Sequence, residues 1–237
     1  WAIHREAVSD FTVANYPLDV LTGNLAKSWE LPDDTTLIFK IQEGVHFHDK
    51  APVNGREMVA DDIAYNYQRM LGIGRFAGKD RAHQNWGTLG LPIESVEAPD
   101  NTTLVVKLSQ PSPNALKQLL DCCHMYVYAP EIIEEHGNAE DWRSLVGTGA
   151  FQMTDWTEGS SMTYEKNPNY WRNDEKFPQN RLPYVDKIVA VFMAEEATKL
   201  AALRSGRIAY AGHLGVSQIQ SIETIVNVQK TNPELQI

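Results

Sequence analysis

One segment of this chain is written twice. Residues 31–41, LPDDTTLIFKI, return at 98–108 as APDNTTLVVKL, with Pro, Asp, a Thr pair, Leu and Lys at matching places. In each copy an acidic turn, Pro32-Asp33-Asp34 or Pro99-Asp100-Asn101, leads into alternating β-branched and aliphatic residues. A turn of that chemistry before a period-2 pattern predicts a β-hairpin. Two copies do not make a repeat array, so the doubling predicts one hairpin solution used twice. An α+β region of antiparallel strands follows.

Around these hairpins the pattern changes period. Glu43-Gly44 turns the chain, and Val45 and Phe47 are expected on one side with His46 and His48 on the other. Ile63, Tyr67, Met70 and Leu71 recur at helical spacing and predict a helix over 60–71. Asp61 and Asp62 stand in its first turn, where the helix dipole favours negative charge. Pro111 and Pro113 introduce a short helix through Leu120, and Pro130 and Gly137 bracket another. A further hairpin spans 150–166, turning at Glu158-Gly159, and Pro168, Pro178 and Pro183 mark an irregular connection. Residues 188–193 are nearly all apolar, which predicts a strand buried on both faces. Residues 197–204 read as a helix ending at Gly206, and Ile208-Ala209-Tyr210 as a strand. Strand, helix and strand in that order predict a parallel unit, hence an α/β portion beside the hairpins.

Charge narrows the partners. Across 237 residues, 21 Lys and Arg face 31 Asp and Glu, a formal net charge of −10 with no basic cluster. That balance argues against nucleic acid or an anionic membrane as the main partner. No apolar run approaches the ~20 residues of a membrane-spanning helix. Cys122 and Cys123 are adjacent and are expected as reduced thiols; with no other cysteine there is no disulfide framework. Trp1 opens the chain without a signal-peptide pattern, and Thr231 to Ile237 read as a turn into a new strand, so a domain of a longer protein is expected.

Four groups could carry chemistry. His46-x-His48-Asp49 offers two imidazoles at i, i+2 and a carboxylate, a conceivable metal site. It lacks a third ligand at recognisable spacing, since His83, His124, His136 and His213 are scattered; the competing reading puts both imidazoles on a solvated strand face. Covalent catalysis finds no support, for there is no Gly-x-Ser-x-Gly elbow and no Cys–His pattern. Gly147-Thr148-Gly149 permits close backbone approach, yet is neither a P-loop nor a dinucleotide fingerprint. Trp86 lies in the polar stretch His83 to Thr88, where an aromatic can serve as a ligand platform.

The order of motifs is more specific than any one of them. Leu25-Ala26-Lys27-Ser28-Trp29-Glu30 and then Phe39 to Asp49, FKIQEGVHFHD, resemble the opening of the bacterial extracellular solute-binding proteins of family 5, the oligopeptide, dipeptide and nickel receptors of ABC importers. Val146-Gly147-Thr148-Gly149-Ala150-Phe151 with Trp156, and Glu165-Lys166-Asn167-Pro168-Asn169-Tyr170-Trp171, resemble later motifs of that family. Pro183 to Ile188 and Ala201 to Ile208 continue the likeness in unbroken order. Four positions depart from the pattern: Lys50 for Gly, Val59 at a helix-capping Ser/Thr position, Ala150 for Pro, and Ala209 for an acidic residue.

The resemblance implies an α/β fold with an α+β subdomain, the first lobe of a periplasmic binding protein of class II, cluster C type, with a mixed sheet and antiparallel hairpins. It implies three parts: 1–24 opening the α/β subdomain, an inserted α+β subdomain over 25–145, and 146–237 leading towards a second lobe. The implied function is capture of a peptide or similar small solute, without catalysis and without a cofactor, by closure of two lobes outside the cytoplasmic membrane. A membrane permease is the implied partner, the protein itself being a monomer, periplasmic or at the cell surface. Asn85, Trp86, Gly147, Thr148 and Gly149 are the expected cleft residues, while Trp29, Tyr170 and Trp171 hold the fold. Two rivals stand beside it: another cargo within the same family, either nickel or a metal chelate held by His46, His48 or a His elsewhere or else an oligosaccharide, and a metal-dependent hydrolase built on His46, His48 and Asp49.

Overall fold

In the computed structural model the described residues are 2–3, 21–79, 90–119, 126–211 and 222–233. They form two compact units, one of residues 1–152 and 166–186, the other of 153–165 and 187–237.

The first unit is organised by the doubled segment. Strands β3 (Ala26–Asp33), β4 (Thr36–Ile41), β5 (Ile93–Asp100) and β6 (Thr103–Leu108) make a four-stranded sheet in the order β3-β4-β6-β5. Each copy supplies one antiparallel hairpin, and the two hairpins meet along an antiparallel β4–β6 ladder. In that ladder Thr36 faces Lys107 and Lys40 faces Thr103, so exchanging the two copies leaves the pairing unchanged. The likeness reaches further back than the sequence suggests. Register shifts fall between Ala26 and Ser28 and between Glu30 and Asp33 in one hairpin, and between Ile93 and Ser95 and between Glu97 and Asp100 in the other.

Alternation does what it predicts on the inner strands. Leu37, Phe39 and Ile41 on β4, and Leu104, Val106 and Leu108 on β6, are buried, each contributing about 1.5–3 kcal/mol by leaving water. Helix α1 (Ala60–Leu71) packs on β5 and β6, burying Ile63, Tyr67 and Leu71 as its spacing requires, with Met70 half-buried. Gly72 ends it in the left-handed region at φ 67°, and a 3₁₀ turn follows over Gly74–Phe76. Val59 gives α1 no side-chain cap; instead Asp62 reaches back to accept the Val59 N–H at 2.8 Å. Arg56 grips that same carboxylate through both terminal nitrogens, at 2.9 and 2.7 Å, and holds Glu131 with Nε and Nη2. Its guanidinium lies 5.0 Å over the Phe47 ring, so one cation ties α1, α3 (Pro130–His136) and the core together. Between β6 and α3 lies the short α2 (Ala115–Leu119). Ala2–Ile3 (β1) and Leu21–Thr22 (β2) form a small antiparallel pair.

The second unit holds most of strands β7 (Phe151–Thr157) and β8 (Ser161–Lys166) and all of β9 (Lys187–Val191), a sheet in that order, then α4 (Glu196–Arg204) and α5 (Ile222–Thr231). The β7–β8 turn is where the sequence puts it, with Gly159 at φ 67°. Two expectations are corrected. Strand β9 is not buried on both faces: Ile188, Val189 and Val191 are 37%, 53% and 46% exposed. It pairs antiparallel with β8, so the expected parallel unit is absent among the described residues. Nor is Ile208-Ala209-Tyr210 a strand. After Gly206, at φ 68°, the Arg207 and Ile208 N–H groups both turn back to the Ala202 carbonyl, satisfying the end of α4 instead of a ladder. Helix α5 was not expected at all.

Candidate functional site

Three motifs far apart in sequence meet in the first unit. After Phe47, which is fully buried, the chain does not continue as a strand. His46 makes a lone bridge to Glu57, and residues 50–55 fold into turns in which Lys50 accepts the Val53 and Asn54 N–H groups at 3.0 and 2.9 Å. This breaks the alternation expected of the two imidazoles. His46 stays exposed, its Nδ1 2.9 Å from the Gly55 carbonyl, whereas His48 is only 6% exposed. The two rings therefore do not share a solvated face.

The His48 ring turns towards Gly147-Thr148-Gly149. Its Nδ1 accepts the Gly147 N–H at 3.3 Å, its Nε2 lies 3.0 Å from the Gly149 carbonyl, and its own backbone N–H donates to the Gly147 carbonyl at 2.8 Å. From the other side comes Asn167, 4% exposed, whose Nδ2 donates to the same Gly149 carbonyl at 3.1 Å and whose N–H donates to Ala150 at 2.9 Å. Its Oδ1 accepts the Asn169 N–H at 2.9 Å, which fixes the amide orientation. Val146, just before the turn, is 2% exposed and anchors it in the core. Gly147 and Thr148 remain half-buried and Gly149 exposed, and Thr148 makes no hydrogen bond to a described residue. The result is a short backbone segment pinned at both ends with its middle residue uncommitted.

The electrostatics of the site are set by burial. Loss of water pushes the His48 imidazole below its ordinary range; the Gly149 carbonyl opposes this and the Lys50 ammonium adds to it. Burial lowers Lys50 too, against the pull of Asp141. The ring is therefore a neutral hydrogen-bonding group at neutral pH.

Of the expected cleft residues, Gly147, Thr148 and Gly149 lie together in this turn, while Asn85 and Trp86 fall outside the described residues, as do Cys122 and Cys123. Nδ1 of His46 and both ring nitrogens of His48 are occupied by backbone carbonyl or amide groups, and Asp49 is exposed. Among the described residues no group of three or more His, Cys, Asp or Glu could hold a metal ion. Sequence reasoning missed His48 as a partner of the turn, and it missed Asn167. The signal available was the co-occurrence of the three motifs, which carries no contact by itself. A separate groove of about 560 Å³ lies where the tip of the first hairpin faces α2, lined by Leu31, Pro32, Pro111, Pro113 and Leu116 among others; it shares no residue with the turn. No helix among the described residues is long and apolar enough to cross a membrane.

Comparison with known proteins gives one consistent answer. The sequence model described as "Bacterial extracellular solute-binding proteins, family 5 Middle" matches residues 20–236. The periplasmic oligopeptide-binding protein OppA of Escherichia coli (strain K12) is 28% identical over 194 residues, which is 78% of this chain and 34% of that protein. Among solved structures, the periplasmic binding protein DppA of Helicobacter pylori in complex with the peptide STSA matches at TM-score 0.62 and 25% identity, over 79% of this chain and 37% of that one. MoaA of A. tumefaciens R10, in complex with mannopinic acid, matches at TM-score 0.66 and 23% identity, over 91% and 38%. The chain spans about a third of the length of the curated relatives it matches.

Proposed function

Because the chain belongs to family 5 of the bacterial extracellular solute-binding proteins, we propose that it supplies one lobe of an ABC-importer receptor that captures a peptide or similar small solute. The observation that carries this reading is the family match, which runs through almost the whole chain, 20–236. A peptide as cargo is supported by the relatives named for peptides. An opine is the second reading, supported by the mannopinic acid complex. Under this proposal residues 1–24 open the α/β subdomain, 25–145 are inserted into it, and 146–237 lead on to the second lobe. The solute lies along Gly147-Thr148-Gly149, where the backbone groups and hydroxyl of Thr148 bond to no described residue. Closure of the two lobes removes the solute from water, and a membrane permease outside the cytoplasm receives the closed form.

The turn is suited to this task. A segment held by buried side chains does not have to be ordered when the solute arrives, so less entropy is lost on binding. Calorimetric titration of the full-length protein, with this 237-residue chain alongside, tests the reading. A mixed di- to hexapeptide pool comes first, then mannopinic acid, a nickel–histidine chelate and oligosaccharides. Peptide binding by the full-length protein, with weak or no binding by the chain alone, is the expected result. Tight binding of the chelate or a sugar in place of peptides overturns the cargo and keeps the family. Turnover abolished by chelation overturns the reading of a receptor without catalysis.

A further inference from the structure

We propose that His48 is the positioning residue of the Gly147-Thr148-Gly149 turn: its imidazole, as the Nε2–H tautomer, spans the turn and fixes the shape in which Thr148 meets a solute. The solute half of this inference rests on the reading that the turn lines the cleft; the clamp itself does not. An N–H at Gly147 needs an acceptor and a carbonyl at Gly149 needs a donor, so Nδ1 must carry the lone pair and Nε2 the hydrogen. Only one tautomer of the neutral ring meets both demands. The ring also stands close to the turn, since a Cβ at Gly147 would lie 4.0 Å from His48 Cε1. With the His48 N–H on the Gly147 carbonyl and Asn167 on Gly149, both flanks of Thr148 are held from two directions. A proton on Nδ1 would set donor against donor at Gly147 and release that flank. Among the described residues Lys50 is the charged group acting on the ring, and Asp141 acts in turn on Lys50.

Two conservative variants separate the two ends of the clamp. His48→Asn keeps a polar atom near the place of Nδ1, and His48→Gln keeps a donor near the place of Nε2. Long-range proton–nitrogen correlation on the 15N-labelled full-length protein reads the tautomer, and the Gly147 and Gly149 amides report each flank. The expected spectrum is a neutral ring protonated at Nε2 throughout the neutral range. The Gly147 amide is then expected to shift in His48→Gln more than in His48→Asn. Affinity for the mixed di- to hexapeptide pool is expected to weaken about 3- to 10-fold in either variant, the loss of one hydrogen bond. It is also expected to fall on acidification in the wild type, below the ordinary histidine range near 6.5, and to stay flatter in His48→Gln. A ring protonated at Nδ1, or charged at neutral pH, overturns the clamp whatever the protein binds. Wild-type affinity and an unchanged pH profile in His48→Gln overturn the positioning role. A protein with the expected tautomer and amide shifts that binds none of the peptides overturns the solute-lining reading of the turn and leaves the clamp standing.

Discussion

Asp33 and Asp100 make the same two bonds in the two copies of the hairpin. Each carboxylate Oδ1 accepts the N–H of the residue two positions on at 2.8 Å and its hydroxyl at 3.0 Å, from Thr35 in one copy and Thr102 in the other. These bonds close the turn by copying a backbone hydrogen bond with a side chain, and they favour the charged carboxylate. Both acids are held below the ordinary carboxylate range, with the Thr backbone N–H as the largest cause in each.

Acid should therefore loosen the sheet at two matching places. A depressed folded pKa contributes stability that is fully present above the unfolded value near 3.9, and that is lost as pH falls through the folded value. The double variant Asp33→Asn, Asp100→Asn keeps an acceptor but cannot titrate. Urea midpoints measured from neutral pH to pH 3 should fall less steeply for it than for the wild type. Parallel curves would show that these turns do not set the acid limb.

Arg56 should be hard to replace. It pairs with Asp62, whose side chain is 4% exposed, and with Glu131, while stacking on Phe47. Arg56→Ala leaves a buried carboxylate without its cation. The cost should be about 2–4 kcal/mol, somewhat under the value for a fully buried pair because the Arg56 side chain is 34% exposed. Arg56→Lys should recover little, since an ammonium cannot fork to two carboxylates. Denaturant unfolding of both variants checks this, and a near-wild-type Lys variant would refute it.

Restoring a cap should help. Val59 sits in extended geometry before α1, at φ −120° and ψ 166°, with no cap from its own side chain. Val59→Thr keeps a branched shape and adds an oxygen aimed at the first turn. A gain of about 0.5–1 kcal/mol in unfolding free energy is expected. No gain would mean that the reach of Asp62 already does the work of a cap.

Two glycines with positive φ should differ in what they tolerate. Gly137 has open space where a Cβ would stand, so Gly137→Ala should cost only the left-handed backbone, about 1–2 kcal/mol. At Gly74 a Cβ would stand 2.8 Å from Gln68 Cδ. That amide also donates to the Val96 carbonyl at 2.6 Å and accepts from Arg75 Nε at 2.9 Å. Gly74→Ala should lose more stability than Gly137→Ala in the same thermal-unfolding assay; the reverse order would contradict the packing around Gln68.

What could be read from the letters alone follows from what periodicity measures. The bounds of α1, the turns at Gly44 and Gly159 and the alternation of β4 and β6 are local, and local preference agrees there with the tertiary packing. The doubled hairpin was legible as two hairpins; that they share one ladder was not, because register between distant strands leaves no mark in either. Apolar content at Ile188, Val189 and Val191 shows which side chains favour a cover, not what covers them. At Ile208 a β-prone residue lost to the carbonyls of a helix end. The turn at Gly147 was visible as a candidate, but its clamps were not. His48 belongs to an alternating pattern that a turn interrupts, and Asn167 to a motif whose likeness names a family without naming a contact.

The β4–β6 ladder has a consequence in time. Each hairpin joins residues close in sequence and can form by itself, yet the edge of β4 that β6 covers stays unpaired until the second hairpin has docked on it. For that interval the chain exposes a free, apolar strand edge that fits a second copy of its own sequence as well as its proper partner. A sheet whose two halves are interchangeable thus holds within one chain the geometry by which two unfolded chains could pair wrongly, and how quickly the two hairpins of one chain find each other becomes part of how this protein folds.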